Sequence, residues 1–135
     1  KIAFRLLPLP GHDYSEQVTE LILCAGEQGH FFEAYKNILD LNANNQVNLE
    51  NIIALKEITL NKQLLDTCME SNATNYFSDK WEEEAKQNTI LGTPTTFINN
   101  AKYPGAMPLE DFIDSTGEER KGLVFIVEEE LKLTN

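Results

Sequence analysis

The sequence predicts an α/β fold in one piece, and three observations carry that prediction. Apolar residues recur at helical spacing through the middle of the chain. Short β-prone runs stand near both ends, and clusters of Gly, Pro and Asn punctuate the two textures. At 135 residues the chain is long enough to bury a core of its own. A hydrophobic content of 41%, with seven Phe and four Tyr, excludes the composition of a disordered segment.

Each element has its own reason. Ile2–Leu7 is a short apolar run closed by Pro8-Leu9-Pro10-Gly11, which reads as a buried strand and a turn because proline cannot donate to a ladder. Asp13 is placed to cap a first helix, with Glu16 three residues on to complete a capping box. Val18, Leu21, Ile22 and Ala25 then fall on one helical face, and Gly29 supplies the stop. Phe31, Phe32, Tyr35, Ile38 and Leu39 continue the pattern into a second helix, and the Asn-rich stretch 42–46 reads as a surface loop.

Asn48 suits the cap of a third helix with Leu49, Ile52, Ile53 and Leu55 turned inward. A fourth, led by Thr59 or Asn61, carries Leu60, Leu64, Leu65 and Cys68 and is broken at Ser71-Asn72. A fifth runs from about Ala73 to Gln87, its Glu82-Glu83-Glu84 face being a solvated surface. Gly92-Thr93-Pro94 then precedes β-rich Thr95–Ile98, and Asn99-Asn100 tolerates the left-handed backbone of a hairpin turn into Ala101-Lys102-Tyr103. Pro108 suits the first turn of a helix. Thr116 with Glu119 offers another capping box, and Leu123, Ile126, Val127 and Leu131 make a last amphipathic helix.

Charge narrows the partners. Twenty-two acidic residues against 11 basic ones give a formal net charge of −11. Nucleic acid, whose phosphates need Lys and Arg, is excluded as a natural partner, and anionic membrane surfaces are disfavoured. No run approaches the ~18–20 apolar residues of a membrane helix. The chain opens without Met and without a secretory leader, so Lys1 is expected to stand inside a folded element and the chain to be a portion of something larger.

The chemistry-bearing residues are few. Cys24 and Cys68 fall on apolar helix faces, which leaves two readings open: two buried thiols, or one structural disulfide. Neither stands at a helix N-terminus or beside a cation, so nothing argues for an activated pair. His12 and His30 match no compact ligand spacing, and neither a metal nor a cofactor is expected. Asn72-Ala73-Thr74 is a formal glycosylation triplet of a kind common by chance. Trp81, with Tyr76 and Phe77, is expected to pack helix against helix. Pro94 would ordinarily be a trans loop proline, since only about 5–6% of X–Pro bonds are cis.

Several stretches together resemble the DsbA-type thiol–disulfide oxidoreductases of the thioredoxin fold. They are Phe4-Arg5-Leu6-Leu7-Pro8-Leu9-Pro10, the run Cys24 to Glu33, Leu65-Asp66-Thr67-Cys68-Met69-Glu70-Ser71, and above all Gly92-Thr93-Pro94-Thr95-Thr96-Phe97-Ile98-Asn99 with Tyr103-Pro104-Gly105-Ala106-Met107-Pro108. The resemblance implies one thioredoxin-like domain over 1–135, incomplete at its N-terminal side. Residues 1–10 would be sheet strand and turn, 11–88 a helical insertion, and 89–135 the cis-proline loop, hairpin and last helix. It further implies that Thr93 and Pro94 bind extended, cysteine-containing polypeptides, that a redox partner protein exists, and that the site of action is periplasmic or otherwise extracytoplasmic.

One departure matters more than the match. The family's chemistry needs a Cys-x-x-Cys whose first thiolate attacks a disulfide, and this sequence has none. No catalytic residue is therefore assigned. The motif, with its strand and helix, would precede Lys1, and that strand would lie between Ile2–Leu7 and Thr95–Ile98. Its absence would leave strand edges unpaired, and unpaired edges recruit other chains, so the chain is expected to dimerise through them, to re-pair its strands, or to take an element supplied from outside. The alternative is a non-catalytic peptide-binding or chaperone-like module on the same fold.

Overall fold

In the computed structural model, which describes residues 1–55, 60–71 and 74–133, the chain forms two units, Lys1–Gln87 and Asn88–Asn135. The first is built on α1 (Ser15–Glu27), whose inward stripe supplies Leu21, Ile22, Cys24 and Ala25, all buried. Against it lie α2 (Phe31–Ala43) with Ala34 and Ile38, α3 (Leu49–Leu55) with Ile52, and α4 (Lys62–Glu70) with Leu65. The fifth helix, α5 (Asn75–Gln87), buries Ala85. Burying a Leu or Ile side chain contributes roughly 1.5–3 kcal/mol, so this cluster is what holds the helices together.

The helix ends obey local rules. α1 stops because Gly29 adopts φ 83, which lets His30 donate its N–H to the Ala25 carbonyl (2.9 Å) and Gly29 donate to that of Gly26 (2.9 Å). Asn45, at φ 54, does the same for α2: Gln46 donates to Leu41 O (2.8 Å) and Asn45 to Asn42 O (3.0 Å). The Asn-rich stretch is thus partly the end of a helix. Asn48 Oδ1 accepts from Asn51 N–H (2.9 Å), and Asn61 Oδ1 from Leu64 N–H (3.1 Å), so both act as N-caps. Thr59, the rival cap for α4, and Asn72 and Ala73 of the glycosylation triplet lie outside the described residues, as do the side chains of Leu49 and Ile53.

Several expectations fail, each for a physical reason. The strand at Ile2–Leu7 does not form: a strand is defined by a ladder, and residues 2–7 enter none among the described residues. Side chains tether it instead. Leu6 packs on the helical core, Phe4 meets Phe32 edge to face at 5.3 Å, and the Arg5 guanidinium sits 5.5 Å from the Trp81 ring and 3.4 Å from Glu84 Oε2. Asp13 does not cap α1. Two successive turns, Leu9 to His12 and His12 to Ser15, carry it past the cap position, and Tyr14 precedes the helix at φ 62. Phe32, Leu39 and Leu64 point outward, because the stripe that meets α1 is the one through Ala34, Ile38 and Leu65. Tyr76 and Phe77 are exposed and meet edge to face along their own helix, and Trp81 packs on Arg5 and Phe77.

The second unit opens with an antiparallel hairpin, β1 (Thr95–Ile98) and β2 (Ala101–Pro104), in the register Ile98↔Ala101, Phe97↔Lys102, Thr96↔Tyr103 and Thr95↔Pro104. Asn99 makes the turn possible at φ 51, and its side-chain amide donates to Glu130 Oε2 (2.6 Å) on α6 (Leu123–Leu133). Between them stands a second, unforeseen hairpin, β3 (Phe112–Ile113) and β4 (Glu119–Arg120). The helix expected from Pro108 and the capping box at Thr116 are both replaced by it. The reason lies in Asp114, whose carboxylate organises the turn: Oδ1 accepts from Thr116 N–H (2.8 Å), Thr116 Oγ1 (2.6 Å) and Glu118 N–H (3.1 Å), while Oδ2 accepts from Arg120 Nε (2.7 Å). Gly117 closes the loop at φ 84.

The Thr116 hydroxyl first, and Arg120 next, hold the Asp114 carboxyl well below the usual carboxylate range. A carboxyl whose folded pKa is depressed stabilises the fold above its unfolded value of about 3.9, and that contribution disappears as pH falls through the folded value. We therefore expect the Thr116 and Glu118 amide resonances to be flat from neutral pH down to about 5 and to move only in strong acid, well below about 3.9. Asp114→Asn should loosen the same turn at every pH. A titration step at those amides close to the ordinary aspartate value would count against this account.

Candidate functional site

The best candidate is the segment from Asn88 to Phe97, because loop and strand edge are built there by contacts that can be traced one at a time. Lys102 Nζ, from β2, donates to the carbonyls of Asn88 (3.1 Å) and Thr89 (3.2 Å), pinning the loop's first residues to the hairpin. Thr95 Oγ1 donates to Gly92 O (2.7 Å), folding the loop back on itself. Gly105 N–H donates to Pro94 O (2.8 Å), which extends the β1–β2 pairing by one rung. The Thr93–Pro94 peptide bond is cis, and both residues are exposed.

This register decides which backbone groups remain open. In an antiparallel pair, bonded and non-bonded positions alternate, and residues at non-bonded positions aim N–H and C=O away from the partner. The bonded rung at Pro94/Gly105 makes Thr95/Pro104 and Phe97/Lys102 the non-bonded ones. Pro104 has no N–H to offer and stands where none is required. Thr95 and Phe97 therefore direct their backbone groups to the outer edge of β1, and among the described residues no third strand meets them. Thr93, two residues earlier, likewise has neither its N–H nor its C=O bonded among the described residues. The result is a loop and strand edge able to receive an extended chain by main-chain hydrogen bonds.

The cysteines belong to the other unit. Cys24 of α1 and Cys68 of α4 are joined in a disulfide, with Cα atoms 5.8 Å apart, and Cys24 is fully buried. Of the two readings left open by the sequence, the bridge is therefore the one realised, and the chain holds no free thiol. His30 Nδ1 lies 2.8 Å from Glu33 Oε2, one turn into α2. His12 lies on an open cleft of about 470 Å³, together with Pro8, Pro10, Tyr14, Gln17 and Glu82. Among the described residues, no three His, Cys, Asp or Glu side chains are grouped to hold a metal ion. Nor is any described helix long and apolar enough to cross a membrane.

Reading the sequence missed Lys102 as the brace of the loop, and the outward register of Thr95 and Phe97. The second was derivable. A two-residue Asn-Asn turn fixes Ile98 opposite Ala101, and the alternation of bonded rungs follows from there. Neither a curated protein nor a solved structure matches the chain. The thioredoxin family profile matches residues 1–114, which takes in the helices of the first unit, the Thr93–Pro94 loop and the β1–β2 hairpin. On that match the chain belongs to the thioredoxin family, and is a thiol–disulfide oxidoreductase-like domain.

Proposed function

We propose that this chain is the substrate-docking portion of a DsbA-type thiol–disulfide oxidoreductase that acts on exported proteins. The observation that carries the reading is Thr93: exposed, beside Pro94, with its main-chain N–H and C=O open at the end of a strand edge. An extended polypeptide would bond there through its own backbone, with side-chain preference added by the neighbouring surface. The helical run 11–88 would then be the family's helical insertion, and residues 1–10 and 89–135 its sheet-forming parts, N-terminally incomplete. The partners are extended, cysteine-containing polypeptides and a redox partner protein, in a periplasmic or other extracytoplasmic setting. An acidic chain of net charge −11 is a poor match for nucleic acid.

The chemical step needs a thiolate, and both cysteines of this chain are committed to the Cys24–Cys68 bridge. That commitment also favours a second reading, a non-catalytic peptide-binding or chaperone-like module in which docking is the whole activity. Two measurements test these ideas. In an insulin-reduction assay the chain alone should show no turnover, and turnover lost on Cys24→Ser would overturn the structural assignment of the bridge. In an NMR titration, an extended peptide should perturb the amides of Thr93, Thr95 and Phe97. A cysteine-containing peptide and its Cys→Ser counterpart should bind equally, because main-chain bonding does not read the thiol. Perturbations confined to residues 1–87 would sink the docking reading.

A further inference from the structure

The loop ahead of β1 is held at its two ends by different means. At Pro94 the hold is a main-chain rung, Gly105 N–H on Pro94 O. At Asn88 and Thr89 it is one side chain, the Lys102 ammonium, bonded to both carbonyls. Between these points Ile90, Leu91 and Thr93 make no bond to another main-chain group among the described residues. Thr89 itself stands at φ 51. That left-handed region crowds Cβ against the backbone, and branching at Cβ makes the crowding worse. Asn45 and Asn99 share the region, but Asn is a residue that tolerates it. Among the described residues, Thr89 is the one β-branched side chain found there. Such strain persists only where the surroundings over-determine it, and the Lys102 ammonium is the contact that does so here.

We propose that Lys102 is a positioning residue that keeps Thr89 left-handed and thereby sets the loop in the shape that presents Thr93. Its two charge-assisted hydrogen bonds offset the strain at Thr89. Without the ammonium both carbonyls return to water, and Thr89 relaxes to negative φ. Because the Pro94 end is fixed by its rung, Ile90 to Thr93 must absorb that rotation. The main-chain N–H and C=O of Thr93 are then aimed elsewhere. Lys102 stands opposite Phe97 in the hairpin register, so the same pairing that sets the strand also sets the reach of its brace. The consequence at Thr93 rests on the docking reading, whereas the brace at Thr89 does not.

NMR of the full chain tests this with Lys102→Met, Lys102→Arg and Thr89→Gly. The φ-dependent coupling of Thr89 should have its left-handed value in the unmodified chain and move toward negative φ in Lys102→Met. Lys102→Arg keeps the cation and its donors and should restore the coupling. Titrated with the Cys→Ser peptide, Lys102→Met should dock at least about fivefold more weakly, with most of the loss recovered by Lys102→Arg. Glycine enters the left-handed region freely, so in a Thr89→Gly background Lys102→Met should weaken docking by less than about twofold. A Lys102→Met chain that keeps Thr89 left-handed would overturn the proposal, and so would equal losses of docking in the two backgrounds. If Lys102→Met fails to fold, adding Thr89→Gly should restore the amide pattern of the β1–β2 hairpin. A double variant that stays unfolded would equally overturn the proposal. A peptide that binds nowhere on the unmodified chain would remove the docking reading, and the Thr89 coupling would still decide the brace.

Discussion

Replacing Cys24 and Cys68 together by Ala should destabilise the first unit by about 4 kcal/mol, the loop-entropy value for a bridge closing some 44 residues. Alanine is the informative choice, because Ser at the fully buried position 24 would add an unsatisfied hydroxyl to the loss. The effect should be unevenly distributed. In α4 the one fully buried side chain is Leu65, with Cys68 and Met69 partly buried against the same core, and beside the disulfide a side-chain bracket joins the two helix ends, Gln28 Oε1 accepting from Asn61 N–H (2.9 Å). α1 instead is fixed by Leu21, Ile22 and Ala25 against several neighbours. Amide exchange should therefore show α4 losing protection before α1, and urea unfolding should show a lowered midpoint. Set against the roughly 5–15 kcal/mol of a typical domain, such a loss is a large share of the total. Equal urea midpoints for the oxidised protein and the double variant would show that helix packing alone holds α4.

Much of the helical unit was legible in the sequence, and the reasons are local. The stripe through Leu21, Ile22 and Ala25, the stop at Gly29, and the caps at Asn48 and Asn61 depend on residues within one or two turns of each other. The β1–β2 hairpin was equally readable, since its turn and register are set by Asn99-Asn100 and the flanking alternation. Part of what escaped depends on distant partners. Ile2–Leu7 has the composition of a strand, but the ladder that would make it one is not encoded in the run itself. Phe32 and Leu64 satisfy helical periodicity as well as their buried neighbours do, and only the position of α1 decides which stripe faces in. The Asp114 turn was misread because Thr116 and Glu119 mimic a capping box, while Asp114 and Gly117, the residues that set the turn, received no weight. At the candidate site, resemblance singled out Thr93 and Pro94. The open edge at Thr95 and Phe97 came from register.

Gly122→Ala should unsettle the second unit by about 3 kcal/mol, at the upper end of what overpacking produces. Residues Pro108 to Asp111 wrap the start of α6 and satisfy its orphan donors: Leu123 N–H bonds to Pro108 O (3.0 Å), Val124 N–H to Leu109 O (3.1 Å), and Gly122 N–H to Asp111 Oδ1 (3.0 Å). Lys121 holds the same carboxylate from the other side at 2.6 Å and, with Gly122, keeps the Asp111 carboxyl below the usual carboxylate range. These bonds draw the backbone of Leu109 and Glu110 onto the Cα of Gly122, where an added Cβ would overlap the Glu110 carbonyl and the Leu109 oxygen. No side chain is available to yield, so the wrap must open and the donors lose their acceptors. Gly92→Ala is the matched control. Its backbone is not left-handed and its Cβ would meet nothing within 4 Å, so there the loss of unfolded-chain freedom should be neutral or stabilising by up to about 1 kcal/mol. The two substitutions make the same chemical change with opposite expected signs. Thermal unfolding and α6 amide protection read both, and equal responses would mean that the close approach at Gly122 relaxes freely.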